Sequence, residues 1–175
     1  TTPLLATSYN NMALIYRDLK DHDLALTAQQ KAIMMQKHIL APNHNQIGIS
    51  YNNLALIHSD LGEYEQALAA HRKALEIQEH TFKSNHPLLA TSYHNLASLC
   101  YRTDQIDSAI IYENLAYDIL QEKLPDNHPH LRIIRDNFVL YYPKRAILKR
   151  EASQYQLAIE DYEKAFEYGA EKGEL

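Results

Sequence analysis

The fold is decided by a stretch that recurs along the chain, Asn85-His86-Pro87-Leu88-Leu89-Ala90-Thr91-Ser92-Tyr93-His94-Asn95-Leu96-Ala97. One earlier copy begins at Asn43-His44, and the first copy runs from Pro3 to Ala13. A later copy begins at Asn127-His128-Pro129. The copies are evenly spaced with a period of about 42 residues, and a fixed period of roughly 20 to 50 residues is typical of repeat proteins. In such proteins each unit buries its apolar face against its neighbours. The sequence therefore predicts a single repeat array over residues 1–175.

Four repeats account for nearly the whole chain, and the last one is irregular. We place them at about 3–44, 45–86, 87–128 and 129–175, with a seven-residue insertion in the fourth. Seven residues make two helical turns, so the insertion keeps the buried face in phase. Proline removes a backbone donor and crowds the preceding turn. We therefore expect a break or kink near Pro143 and an extra helical segment from Lys144 to Ser153.

Each repeat is predicted to be a pair of antiparallel helices, A followed by B. In repeat two, Tyr51, Leu54 and Ala55 have the spacing of one helical face, and a second series starts at Tyr64. Gly62 lies between them, where a helix end favours a left-handed residue. Other residues predicted to be buried are Leu5, Tyr9, Met12, Tyr16 and Leu24 in repeat one, and Cys100, Ile106, Leu115 and Ile119 in repeat three.

Alanine recurs at three positions in each of the first three repeats. A small side chain in register allows neighbouring helices to approach closely, and a larger one would overpack, at about 1–3 kcal/mol. The three columns are Ala13, Ala55 and Ala97 in helix A, Ala25, Ala67 and Ala109 early in helix B, and Ala32, Ala74 and Ala116 later in helix B.

The composition limits the classes of function. The chain is 46% hydrophobic with four glycines, which is typical of a packed helical protein. The net charge is −5, whereas a nucleic-acid binder needs a sustained basic surface. No apolar run is long enough to span a membrane, and the single cysteine, Cys100, favours a reducing compartment, so we expect a cytoplasmic protein. The chain lacks an initial Met, and we expect it to be part of a longer protein.

The repeat resembles the tetratricopeptide repeat. The residues that carry the resemblance are Tyr51-x-x-Leu54-Ala55-x-x-His58, then Gly62-x-Tyr64, Ala67, His71 and Ala74. The usual repeat is shorter, at about 34 residues, whereas the longer period here, with its Asn-His-Pro joint and Tyr51-Asn52-Asn53-Leu54-Ala55 core, looks like the kinesin light chain type. The resemblance implies an all-α fold, a right-handed superhelical α-solenoid of antiparallel helix pairs. It also implies that the A helices line a concave groove for a peptide or partner helix.

The residues beside the buried stripe of helix A are the predicted peptide-binding groove. In the kinesin light chain family the first asparagine of the pair contacts cargo peptide, and the resemblance carries this role to Asn10 and Asn52; repeat three has His94 there and repeat four Asp136. We expect the second asparagine column to be structural: Asn11, Asn53, Asn95 and Asn137. The predicted groove residues are Thr7, Asn10, Leu14, Arg17, Ile49, Asn52, Leu56, Ser59, Thr91, His94, Ser98 and Arg102.

The sequence predicts a non-catalytic interaction module with a scaffold or adaptor role. The mixture of apolar, amide and arginine columns suggests a mildly apolar ligand segment that carries an acidic residue. Self-association is an alternative, because the irregular fourth repeat ends on aromatic residues that lack an obvious capping helix. A third is the sensor or regulatory region of a larger enzyme or signalling ATPase.

Other chemistry finds little support in the sequence. The chain contains no phosphate loop or nucleophile motif, so we expect no enzymatic activity and no cofactor. The loop histidines His44, His86 and His128 are one repeat apart, too dispersed for a zinc site, and capping roles are expected. We expect His58 and His71 to be buried, paired histidines, and Cys100 to be an inert core thiol. The basic segment Lys144–Arg150 and the acidic residues after it are predicted to be a solvated surface, with mutual pairing or docking of an acidic segment as alternatives.

Overall fold

A computed structural model describes residues 3–170 of the chain. Within this range the polypeptide forms eight α-helices, and each successive pair lies inside one predicted repeat. Their bounds are α1 Pro3–Asp18, α2 His22–Ile39, α3 Asn45–Asp60, α4 Tyr64–Thr81, α5 Pro87–Arg102, α6 Ile106–Gln121, α7 Pro129–Glu151 and α8 Tyr155–Ala170. The helices are grouped into two compact units, unit 1 ending at Ser92 and unit 2 beginning at Tyr93. That the four repeats form one array stays a prediction.

The alanine columns are buried in both units, as predicted. All nine alanines have no exposed surface. In unit 1, Ala13 and Ala25 pack with Ala28 and Ile57, and part-buried tyrosines of α1 close the cluster. Gly48 continues this close approach between α3 and α4, because a Cβ there would lie 3.3 Å from Gln78 Cγ.

Four predicted core positions are wrong. Leu5 and Met12 in α1 are 42% and 40% exposed, whereas residues at the same repeat position in α3 and α7 are buried or half-buried. These two side chains need a preceding B helix to cover them, and none of the described residues does so. Leu24 and Leu115 on the B helices are also exposed, at 45% and 39%. Their spacing fits the buried stripe, but they lie at its edge.

The predicted break at Pro143 is also wrong. Helix α7 runs without interruption from Pro129 to Glu151, with Pro143 inside it, so the expected extra helical segment from Lys144 is continuous with the helix and ends two residues before Ser153. It has 23 residues against 16 in α1, α3 and α5, a difference of 23 − 16 = 7. Proline costs one helical hydrogen bond. The buried side chains on both sides of it, Tyr142 and Ala146, supply the packing that holds the helix together.

The turns between helices A and B share a left-handed residue at one register position. Gly62 has φ +76°, as predicted, and the other three turns place Lys20, Asp104 and Ser153 at φ 64°, 58° and 60°. Only glycine adopts this region without a steric cost. Three of the four turns therefore hold a mildly strained backbone.

The loop histidines cap helices, as predicted. Nδ1 of His44, His86 and His128 accepts a hydrogen bond from the backbone N–H two residues later, at 3.2 Å in each case. Proline follows His86 and His128 at the first helical position, where its missing N–H has no cost. The Asn-His-Pro joint is therefore a helix start signal.

Candidate functional site

The A helix of repeat one is joined to its neighbours by a polar cluster in unit 1. The Asn10 Oδ1 atom accepts three hydrogen bonds, from Gln29 Nε2 and Ser50 Oγ at 3.0 Å and from Asn53 Nδ2 at 3.2 Å. Gln29 is fully buried and also donates to the backbone oxygen of Ser50 at 3.0 Å. One asparagine oxygen thus links three successive helices, α1, α2 and α3.

The same arrangement recurs one repeat later, with histidine in place of glutamine. His71 Nδ1–H donates to Asn52 Oδ1 at 2.9 Å, and Asn52 Nδ2 donates to Ser92 Oγ at 3.0 Å. Ser92 in turn donates to Gln78 Oε1 at 2.5 Å. Burial lowers the pKa of His71 to about 4, so the imidazole is neutral at pH 7 and this cluster carries no charge.

The third copy lies in unit 2 and contains a carboxylate. Glu113 is fully buried, and its Oε1 accepts from His94 Nδ1 at 3.1 Å and from Asn137 Nδ2 at 2.7 Å. The hydrogen bond to Glu113 raises the pKa of His94 against the opposing effect of burial. The two side chains form a part-buried ion pair when His94 is protonated.

Both asparagine columns take part in these clusters. In the second column, Asn53 and Asn137 have a structural role, because they make the hydrogen bonds just described. Asn11, in the same column, is exposed on α1.

Of the three central residues, His71 is buried and paired, as predicted. Gln29 and Glu113 were not recognised from the sequence. The sequence contains a signal for this cluster position, because Gln29, His71 and Glu113 lie one repeat period apart. A polar residue that recurs on a predicted buried face needs hydrogen-bond partners.

The predicted groove residues of unit 1 lie on α1, α3 and the start of α5. Thr7, Ile49 and Thr91 share one register position and are all exposed. Leu14 and Leu56 form the next column and are half-buried. Asn10 and Asn52 point between the helices, with the bonds given above.

Arg17 lies at the far end of this face. Its Nε donates to Asp60 Oδ2 at 2.6 Å, and both side chains are partly exposed. Ser59, at the same register position in α3, is half-buried.

In unit 2 the predicted groove residues are His94, Ser98 and Arg102, all on α5. His94 and Ser98 are half-buried and Arg102 is exposed. The Ser98 column continues on α7 as Leu140, which is 54% exposed, and the column of Ile49 and Thr91 continues there as Ile133, which is 49% exposed. Ile133 was not included in the predicted groove, although it lies two repeat periods after Ile49.

The basic segment of α7 is largely paired within unit 2, and the alternative of mutual pairing holds for Arg145 and Lys149, which contact Asp161. The prediction of a solvated surface holds only for the exposed residues Arg150, Glu160, Glu163 and Glu167. Arg145 makes a two-pronged contact with Asp161, through Nε at 2.9 Å and a terminal nitrogen at 2.6 Å, and Lys149 approaches the same carboxylate at 3.1 Å. Lys144 pairs with Asp104. Burial opposes ionisation of Asp161, but the bonds from its two cationic neighbours outweigh it and lower the pKa of that carboxyl.

The remaining histidine and cysteine side chains named in the sequence analysis have structural roles. His58 pairs with Glu63 at 2.6 Å, and Cys100 is a free, fully buried thiol, as expected. Among residues 3–170, no three His, Cys, Asp or Glu side chains form a group that could hold a metal ion. Within the same residues, no helix has the length and apolarity needed to cross a membrane.

The chain belongs to the tetratricopeptide repeat family, whose model matches residues 4–80 and 46–122. Repeats of this family generally mediate protein–protein interactions. The prediction of an all-α tetratricopeptide α-solenoid of the kinesin light chain type is therefore confirmed at the level of family and fold. No curated protein sequence matches the chain.

Two solved structures illustrate the likeness of fold. One is of the nearly identical TPR-like repeats of a Podosopora anserina kinesin light chain, at 18% sequence identity and a TM-score of 0.75, covering 99% of both chains. The other is BtubC (BKLC) from P. vanneervenii, at 22% identity and a TM-score of 0.75, covering 100% of this chain and 67% of that one. At these identities the likeness concerns the fold alone.

Proposed function

We propose that the protein is a non-catalytic interaction module, with a scaffold or adaptor role, that holds a peptide or partner helix against the groove columns of its A helices. The observation that carries this proposal is the exposure of apolar side chains in those columns. Ile49 in unit 1 is 39% exposed, and Ile133 and Leu140 in unit 2 are about half exposed. Ile49 and Ile133 share one register position and Leu140 lies in the next column, and large apolar side chains that remain in water at such recurring positions favour a partner surface.

The amide and hydroxyl groups beside these side chains suit an extended peptide. Asn10 uses its Oδ1 atom within the protein, and its Nδ2 group has no partner among residues 3–170. It can therefore donate to a peptide carbonyl without breaking the cluster. Asn52 uses both amide atoms internally, so its contribution to a ligand is secondary to its bonds with His71 and Ser92.

An acidic ligand residue fits the end of this face near Arg17. The Arg17 Nε atom is bonded to Asp60, but within the described residues its terminal nitrogens have no partner. A guanidinium has five N–H donors and binds a carboxylate through a planar fork. The ligand carboxylate would share this arginine with Asp60, which supports one acidic position and not a run of them.

Panning of a displayed random peptide library against the chain tests the proposal. Selected peptides are then synthesised and titrated by fluorescence polarisation. We expect Ile49→Glu or Leu140→Glu to weaken binding by about tenfold or more. Ile111→Glu is the matched control, because Ile111 is 59% exposed on α6, away from the A helices. Recovery of no binding peptide, or equal affinity for all variants, would contradict the proposal.

A further inference from the structure

Helices α2, α3 and α4 of unit 1 enclose two adjoining depressions, which we name together the lysine groove. Their volumes are about 320 and 330 Å³, within the range of small-molecule sites. None of the lining residues belongs to the predicted peptide-binding columns, so the lysine groove is a separate surface of the unit. Both depressions share Lys37 and Tyr51, the first also contains Lys73 and Ile77, and the second also contains Ile33 and Met34.

The floor of the lysine groove is apolar. Ile47 and Ile77 line the first depression and are 1% and 3% exposed. Ile33 lines the second depression and is 7% exposed, and Met34 beside it is 56% exposed. An apolar group that lies on these side chains is removed from water, which favours binding.

Two lysines lie at the rim of the first depression. Lys37 Nζ is 5.3 Å from the centroid of the Tyr51 ring, and no carboxylate among residues 3–170 forms an ion pair with Lys37. Lys73 Nζ donates to Glu76 Oε2 at 2.7 Å, but both of these side chains are about half exposed, and such pairs are weak. Lys37 is therefore a cation without an anionic partner, and Lys73 can share a second one.

The two lysines are not part of the repeating scaffold. One period later, Glu79 stands at the position of Lys37, and Leu115 stands at the position of Lys73. Residues that the fold requires recur with the period, as the alanine columns do. In a chain with a net charge of −5, two cations above an apolar floor are a local feature for which packing gives no reason.

We propose that the lysine groove binds a small organic carboxylate with an apolar body. The carboxylate lies between Lys37 and Lys73, and the body extends past Tyr51 to Ile33 and Met34. This orientation follows because Lys73 lines the first depression and not the second. The thioether of Met34 packs favourably against an aromatic ring, so an aryl-substituted acid fits best. The site does not depend on the peptide-binding columns of the A helices.

Methyl NMR titration with hydrocinnamate tests this proposal, at about 0.15 M salt to screen distant charges. Hydrocinnamamide is the matched uncharged probe. We expect saturable shifts of the methyl resonances of Ile33, Met34 and Ile77, with a dissociation constant in the millimolar range that suits so small a ligand. The methyl resonances of Ile111, on α6 of unit 2, should not move. The amide should bind at least about threefold more weakly than the acid, because it lacks the charge.

Variants of the exposed lysines locate the carboxylate. Lys37→Glu replaces an attraction with a repulsion and should weaken hydrocinnamate binding by about tenfold. Lys31→Glu is the matched control, with the same charge change on the same helix; Lys31 Nζ lies 5.6 Å from the centroid of the Tyr9 ring, and Lys31 does not line the groove. The control should bind as tightly as the parent chain.

Circular dichroism checks the fold of each variant, and Lys37→Gln replaces Lys37→Glu if the glutamate variant loses helical signal. Lys37→Gln should weaken binding by about threefold. Absence of saturable shifts in the parent chain would overturn the proposal, as would equal binding of the acid and the amide. Equal affinity of the Lys37 variant and the parent chain would overturn it as well.

Discussion

Units 1 and 2 place polar groups at the same register positions but give them opposite responses to protons. In unit 1 the buried partner of the A helix is Gln29 or His71, and both clusters are neutral at pH 7. In unit 2 it is Glu113, which raises the pKa of His94. The comparison teaches that the repeat fixes where a polar side chain must find partners, while the charge at that position can vary.

The signs follow from the two pKa shifts. His71 has a folded-state pKa below its unfolded value of 6.5, so the unfolded chain binds more protons and stability falls as the pH drops from 6.5 towards 4. His94 has a raised pKa, so its contribution is complete below 6.5 and is lost as the pH rises through its folded-state pKa. Acid therefore weakens the cluster in unit 1 and preserves the His94 pairing in unit 2.

The largest expected effect is the acid sensitivity of unit 1. A shift of His71 from 6.5 to about 4 corresponds to about 3 kcal/mol of unfolding free energy, lost when the pH falls from 7 to below 4. His71→Gln, which copies Gln29, should remove this part of the pH dependence. Urea unfolding across this pH range measures it, and an unchanged pH profile in the variant would count against the assignment.

The buried carboxylate of unit 2 should be nearly as important at neutral pH. Glu113→Ala leaves Asn137 Nδ2 without its acceptor and opens a cavity. The substitution should therefore lower the free energy of unfolding by about 2 kcal/mol. Glu113→Gln keeps an acceptor and should cost less while making unit 2 resemble unit 1. A Glu113→Ala variant as stable as the parent chain in urea would contradict the structural role of this cluster.

An exchange of turn residues sharpens the comparison between the units. Gly62 in unit 1 and Ser153 in unit 2 share the left-handed position, at φ 76° and 60°. Ser153→Gly should raise the midpoint of thermal unfolding, and Gly62→Ser should lower it. Each substitution should change the free energy of unfolding by about 1 kcal/mol. Apart from Gly62 and its two neighbours in the chain, nothing lies within 4 Å of the Cβ position at Gly62, so the effect isolates backbone strain. If both variants shifted the midpoint of thermal unfolding in the same direction, contacts other than the left-handed backbone would determine the effect, which would contradict this prediction.

The smallest effect concerns His94, whose side chain is 30% exposed. His94→Asn restores the asparagine of repeats one and two and should cost less than about 1 kcal/mol at pH 6, because solvent screens the pair. The cost should shrink as the pH rises. Chemical unfolding at pH 6 and at pH 8 measures the difference, and a cost that grows with pH would contradict the raised pKa.

The sequence was informative wherever a residue type repeats with the period. The alanine columns, the left-handed Gly62 and the capping histidines follow from local chemistry and were predicted. The position of each repeat was harder to read, because Leu5 has the same pattern as the buried Ile47 but no helix among residues 3–170 covers it. The continuous α7 was missed because the packing of Tyr142 and Ala146 outweighs the local preference of Pro143.

The candidate site was predicted as a set of columns, not as a set of bonds. Thr7 and Ile49 are exposed and Leu56 is half-buried, and their role as groove residues stays a prediction. The internal bonds of Asn52 depend on His71 and Ser92, which are 19 and 40 residues away in the chain. A resemblance between motifs does not show how such distant partners share one amide.

The most direct test of the central claim, that the A-helix columns bind the partner, is paramagnetic broadening by a spin-labelled selected peptide. Methyl resonances of the chain are recorded with the label oxidised and then reduced. We predict that Ile49 and Leu56 in unit 1 and Leu140 in unit 2 are broadened more strongly than Met34 and Ile111, which are exposed on B helices. Stronger broadening of Met34 and Ile111 would contradict the claim and place the partner on the B helices.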